Sequence, residues 1–153
     1  MPQLETKHFG TVTYEEQSEL IFPCGLPAFE RRRRFLALRF VHSDPLIYLQ
    51  SMEDPALCFI TVPVLVLDRA YRLQVSAEDL ETIGLEGRTQ PRIGPDVLCL
   101  AVLSVREEGD PTANLLAPVL INLRNRKAVQ AILADSGYSH QHALYPQEAP
   151  VCS

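Results

Sequence analysis

The residues that could do chemistry in this 153-residue chain are few and scattered. His140 and His142 flank Gln141, a spacing that places both imidazoles on one face of an extended strand, where side chains alternate with a period of two. Two ligands do not make a closed zinc site, which takes four, and the only sulfur near them in the sequence is Cys152. The four cysteines, Cys24, Cys58, Cys99 and Cys152, form no C-x-x-C pair, so neither a zinc knuckle nor a redox motif is present. Cys58 and Cys99 lie inside apolar runs, where a thiol acts as a small hydrophobe. No G-x-S-x-G elbow, P-loop or glycine-rich dinucleotide turn occurs. The expectation is a protein with no catalytic residues, no metal and no cofactor.

Charge is more informative. Fourteen basic and nineteen acidic side chains give a net charge of −5, which repels a polyanion. Residues 53–86 hold seven acidic side chains against Arg69 and Arg72, so the whole excess maps onto one segment, a candidate face for a basic partner. Glu53, Asp54, Glu78, Asp79 and Glu81 are its candidate contacts. The run Arg31–Arg34 could clamp phosphates, but no aromatic platform is interleaved with it and no other cluster extends the stripe in sequence. A solvated turn, or pairing with the acidic segment of the same molecule, accounts for it equally.

The elements that must carry these residues are mostly strands. Twelve prolines against seven glycines argue against long helices. Phe9–Tyr14 alternates and reads as an opening hairpin with Leu20–Phe22. Short apolar or alternating runs follow at Phe35–Val41, Leu46–Gln50, Cys58–Val62, Ala70–Val75, Val97–Val105, Leu115–Leu123, Ala128–Leu133 and Tyr138–Leu144. Val97–Val105 is apolar on both faces and is expected at the centre of the core. Turn signals about every ten residues are the rhythm of an antiparallel barrel or sandwich. Ser76–Ile83 is the exception: Ser76 is a helix cap, Asp79 stands where a capping box places an acid, Val75 and Leu80 form a staple, and Gly84 is the stop. Pro118 interrupts Leu115–Leu123, making it an edge strand or a bulged one, with Asn114 and Asn122 able to bond local backbone at its ends. No apolar run approaches the ~20 residues of a membrane span. The expected architecture is mainly β, one small antiparallel β-barrel-like domain over 1–144 with one or two short helices and a flexible tail at 145–153, soluble and cytoplasmic.

The stretch Asn114-Leu115-x-Ala117-Pro118-Val119-x-Ile121-Asn122, followed by Arg126 and Gln130, closely resembles the signature of the flagellar assembly factor FliW family. The agreement runs through the chain in order: Phe9-Gly10, the Phe22–Glu30 stretch with Gly25 and Pro27, Tyr48 to Asp54, Phe59, Pro63, Tyr71, Asp79-Leu80 and Tyr138-Ser139. Three features depart from it: Ala28 where the family usually has glycine, the four-arginine run, and Arg126-Lys127-Ala128 where a glycine is usual. The resemblance implies a non-enzymatic protein that binds the translational regulator CsrA, one per CsrA subunit, and relieves repression of flagellin translation. Flagellin is implied as the competing partner, with no direct contact to nucleic acid or membrane. On that reading the acidic residues above would meet CsrA, and Asn114, Leu115, Ala117, Pro118, Ile121 and Asn122, on an exposed edge, would meet flagellin. Two alternatives are a nucleic-acid-binding β module using Arg31–Arg34 and an export chaperone for flagellin alone.

Overall fold

A computed structural model describes residues 1–85 and 89–144. Ten strands and two short helices follow one another as β1 (Gln3–Thr6), β2 (Gly10–Thr13), β3 (Glu19–Ile21), β4 (Arg34–Leu38), β5 (Ile47–Ser51), β6 (Cys58–Pro63), α1 (Val64–Leu67), α2 (Ala77–Thr82), β7 (Val97–Ser104), β8 (Thr112–Asn122), β9 (Ala128–Gln130) and β10 (His142–Ala143). The main sheet has the order β10-β8-β7-β6-β5-β4-β3, antiparallel throughout, with β9 also paired to β8. It curls until its ends meet: the Ile21 amide donates to the Arg126 carbonyl at 3.0 Å, and Ile21 bridges Lys127. The result is a nearly closed barrel of mainly β structure.

Alternation along the central strand divides the hydrophobic interior in two. The even residues Leu98, Leu100 and Val102 of β7 face the barrel interior with Leu20, Phe22, Phe35, Ile47, Leu49, Val119 and Ile121. The odd residues Val97, Cys99 and Ala101 face outward, under a layer made by Val64, Tyr71, Val75, Leu80, Ile83, Val129 and Leu133. A strand apolar on both faces therefore sits where such a strand belongs, between two buried layers. On the neighbouring part of the outer face, Phe9 from the β1–β2 hairpin packs on Phe40 and Tyr48, with ring centroids 5.2 and 5.0 Å apart.

Several expected elements differ. The opening hairpin pairs Phe9–Tyr14 not with Leu20–Phe22 but with Gln3–Thr6, a largely polar strand with little hydrophobic signal, while Leu20 and Ile21 pair with β4. Ala70–Val75 is extended but joins no sheet. Two of its amides are taken by distant side chains: Arg72 N–H donates to the Tyr138 hydroxyl at 2.7 Å and Val75 N–H to Gln90 Oε1 at 2.6 Å. Pro63 ends β6, and the residues after it form the unexpected α1. The Tyr138–Leu144 strand shrinks to His142–Ala143. The helix appears as read, with Asp79 N–H donating to Ser76 Oγ at 3.2 Å and a left-handed Gly84 at φ 81° closing it. The flexible-tail expectation for 145–153 lies outside the described residues.

The main correction concerns β8. It is internal, paired with β7 on one side and with β9 and β10 on the other. Pro118 does mark a bulge, since Val119 pairs with Leu100 while Asn114 already pairs with Val102. The bulged backbone is nevertheless used: Leu115 N–H donates to Ser139 O at 3.0 Å, Ala131 N–H to Pro118 O at 2.9 Å, and Leu133 N–H to Leu116 O at 2.8 Å. An exposed edge at Leu115–Ile121 is therefore ruled out, because the segment after β9 covers it.

Candidate functional site

The six motif residues prove to be architectural. Leu115, Pro118, Ile121 and Asn122 are buried, and Asn114 and Ala117 are half-buried. Asn114 Oδ1 accepts from the amides of Leu116 and Ala117 at 3.1 and 2.9 Å, which shapes the bulge. Gln130 Nε2 donates to Ala117 O at 3.0 Å, and the Tyr71 hydroxyl donates to Leu115 O. Asn122 Nδ2 donates to Ile83 O at 2.7 Å, joined there by Asn125 Nδ2 at 3.1 Å. The strand motif thus anchors the outer layer: Asn122 fastens the end of α2, and Tyr71 fastens the extended segment before it. Tyr138 stacks on Tyr71 with centroids 4.3 Å apart. Burial raises the Tyr71 hydroxyl far above its usual range, so it stays a donor.

The acidic candidates fall into two groups that share no hydrogen bond or ion pair among the described residues. Glu53 and Asp54 occupy the β5–β6 turn. Glu53 Oε1 accepts from the backbone amides of Arg33 and Arg34 at 2.7 and 2.9 Å, and the Arg34 and Arg33 N–H groups hold its carboxyl below the ordinary range. Asp54 lies 3.9 Å from Arg32, and Arg34 pairs with Glu19 at 2.9 Å. Of the run's side chains, Arg32 alone approaches the acidic segment of the same chain, while Glu53 holds the run's backbone and Arg34 pairs outside that segment. Gln50 builds the turn from inside. It is fully buried, and its Nε2 lies within 3.1–3.4 Å of the carbonyls of Ser51, Asp54, Pro55 and Leu57. Ser51 Oγ accepts from the Glu53 and Asp54 amides.

Glu78, Asp79 and Glu81 lie on α2. Glu78 and Glu81 are exposed and unpaired among the described residues. Asp79 is half-buried, and burial raises its carboxyl despite the opposing hydrogen bond from Ser76. Among the described residues of the acidic segment, α2 carries exposed carboxylates with no ion-pair partner. Next to it, the segments 72–76 and 132–136 wall an open groove of about 900 Å³ that includes Leu73, Ile132, Leu133 and Tyr138. Ile132 is 64% exposed there, a feature missed because its strand was read as continuous.

Neither histidine enters a larger cluster: among the described residues no group of three or more His, Cys, Asp or Glu is placed to hold a metal. Burial raises the Cys58 thiol to about 11 and the Cys99 thiol to about 12, so both are protonated at neutral pH. No helix among the described residues is long and apolar enough to cross a membrane.

The architecture and its anchoring residues can be set beside known proteins. The FliW protein family model matches residues 3–144, nearly the whole chain. The chain belongs to the FliW family. The flagellar assembly factor FliW of Geobacillus sp. strain WCH70 is 31% identical over 147 residues, covering 95% of this chain and 97% of that protein. That of Syntrophomonas wolfei is 30% identical over 137 residues, or 89% and 84% of the two chains. The Bacillus subtilis strain 168 protein of the same name is 28% identical over 142 residues. A crystal structure of the flagellar assembly factor FliW superposes with a TM-score of 0.83 at 30% identity, covering 97% of this chain and all of that one. The mainly β, barrel-like architecture is thus the FliW fold.

Proposed function

We propose that this protein is a cytoplasmic flagellar assembly factor that works by binding other proteins, not by catalysis. It antagonises the translational regulator CsrA, with flagellin as the competing partner. The observation that carries the reading is the family match across residues 3–144. The surface chemistry agrees with it. A negative α2 suits a basic RNA-binding protein, both in steering the encounter and in raising the electrostatic cost of bringing RNA to the bound partner.

Within that reading the contacts divide by availability. Glu78, Glu81 and the rim of Asp79 carry the CsrA contact. Glu53 and Asp54 contribute less, because their charge is taken up by the Arg31–Arg34 loop. Asn114, Leu115, Ala117, Pro118, Ile121 and Asn122 serve flagellin indirectly, by holding the groove walled by 72–76 and 132–136, where Ile132 offers an apolar contact. The test is calorimetric titration of CsrA into wild type and into Glu78→Lys/Glu81→Lys at low and physiological salt. Weaker association in the variant, and in wild type as salt rises, is expected. Affinity indifferent to both would remove α2 from the interface.

A further inference from the structure

We propose that the closing seam of the barrel is a second interaction surface, fitted to an acidic polypeptide segment that carries an aliphatic side chain. It is built from Arg31, Arg33, Arg126 and Lys127 around Ile21. The inference does not depend on CsrA or flagellin being partners.

In sequence the two basic clusters stand some ninety residues apart, and neither is remarkable alone. The fold joins them through one strand. Ile21 pairs with Arg34 on one side and bridges Lys127 on the other, its amide bonds Arg126 O at 3.0 Å, and the next amide, Phe22 N–H, donates to Arg33 O at 2.7 Å. Residues opposite one another on adjacent strands share a face, so Arg34, Ile21 and Lys127 form an outward row. Arg34 and Arg32 are engaged by Glu19 and Asp54. Arg31, Arg33, Arg126 and Lys127 have no ion-pair partner among the described residues, although Arg33 Nε donates to Glu30 O at 3.3 Å and Arg126 is half-buried, and Ile21 is 37% exposed beside Lys127.

The backbone supplies a second, independent observation. Only two described residues other than glycine have a positive φ, Ala28 at 69° and Arg126 at 61°, and Arg126 lies in the seam, its carbonyl bonded by the Ile21 amide. A side chain in the left-handed region is strained, and such strain concentrates where a residue is kept for what it does. Arg126 holds a charged side chain at a turn position that glycine would occupy without strain.

Polypeptide carboxylates suit the seam better than a phosphate backbone. Glu19, Glu30, Glu53 and Asp54 are interspersed with the cations and would repel a continuous polyanion. Phe29, the exposed ring nearest the arginine run in sequence, is engaged edge-on by Phe59 at 5.5 Å. An aliphatic side chain can instead cover Ile21 while carboxylates reach the cations that lack an ion-pair partner.

The experiment is a residue-resolved NMR titration of the full isotope-labelled chain with a short peptide of alternating glutamate and leucine, and in parallel with an oligouridylate of similar length. Peptide-induced shifts at Ile21, Arg31–Arg33, Arg126 and Lys127 are expected. Affinity should fall about fivefold to tenfold in Arg31→Glu/Lys127→Glu and stay unchanged in Glu78→Lys/Glu81→Lys. Arg126→Gly separates binding from folding. It relieves the backbone, so the thermal midpoint should hold or rise while peptide affinity falls. Shifts that map elsewhere, wild-type affinity in Arg126→Gly, or tighter binding of the oligouridylate at the seam would each overturn the proposal.

Discussion

Glu53 is the residue whose role changed most between sequence and fold. As a carboxylate in an acidic segment it reads as a contact for a basic partner; in the fold it is a clamp for the amides of Arg33 and Arg34. Because those bonds hold its folded-state pKa below the unfolded value of ~4.3, it stabilises the fold above that pH and loses the contribution as pH falls through the lower folded value. Asp79, whose carboxyl burial raises, works in the opposite sense, its stabilising effect fading as pH rises through its raised folded value, so a comparison of variants isolates Glu53. Glu53→Gln should be destabilised relative to wild type at neutral pH, with the gap closing as pH falls through the lowered folded value; urea midpoints across a pH series check this. Gly25 is a sharper case. It has φ 67°, and a Cβ there would meet Glu30 Cα and O at 2.5 Å, so Gly25→Ala should cost ~3 kcal/mol or more in chemical denaturation. Ala28, at φ 69° with no glycine's freedom, should respond the other way. Ala28→Gly should gain ~0.5 kcal/mol, the relief of left-handed strain less the added entropy of the unfolded chain.

At the scale of elements, what could be read from the sequence was what local pattern decides. The cap, staple and glycine stop of α2 are contiguous and were legible, as was the central β7, whose unbroken apolar run suits no other place. What escaped depended on partners distant in sequence. Gln3–Thr6 has almost no apolar signal and becomes a strand only because Gly10–Thr13 lies beside it. The Leu115–Leu123 run looked like an edge because Pro118 cannot donate, yet its bulge is closed by Asn114, Gln130 and the amides of Ala131 and Leu133. The motif was recognisable in sequence, but its work, tying β8 to the outer layer, appears only when Ile83 and Tyr71 are placed against it. Asn122→Ala should therefore cost ~1 kcal/mol, the Ile83 carbonyl keeping only its bond from Asn125, and should loosen α2 locally. Increased amide exchange in α2 above that of β4–β5 would show that the loss is local, and equal exchange throughout would contradict it.

Over the whole molecule, a net charge of −5 conceals a division. The acidic excess reaches solvent on α2, while the Arg31–Arg34 loop consumes the acids of the β5–β6 turn and, with the β8–β9 turn, leaves a basic seam. The two surfaces assigned to CsrA and flagellin, α2 and the groove beside it, are contiguous, so the two partners are expected to exclude one another. The groove of 72–76 and 132–136 directly adjoins the start of α2, since Val75 and Ser76 line it. The decisive measurement is a chase by size-exclusion chromatography: the complex of this protein with CsrA is formed, then monomeric flagellin is added in excess. Partner switching predicts that CsrA leaves and a complex with flagellin takes its place. A stable peak containing all three proteins, or a CsrA complex that flagellin does not disturb, would contradict it.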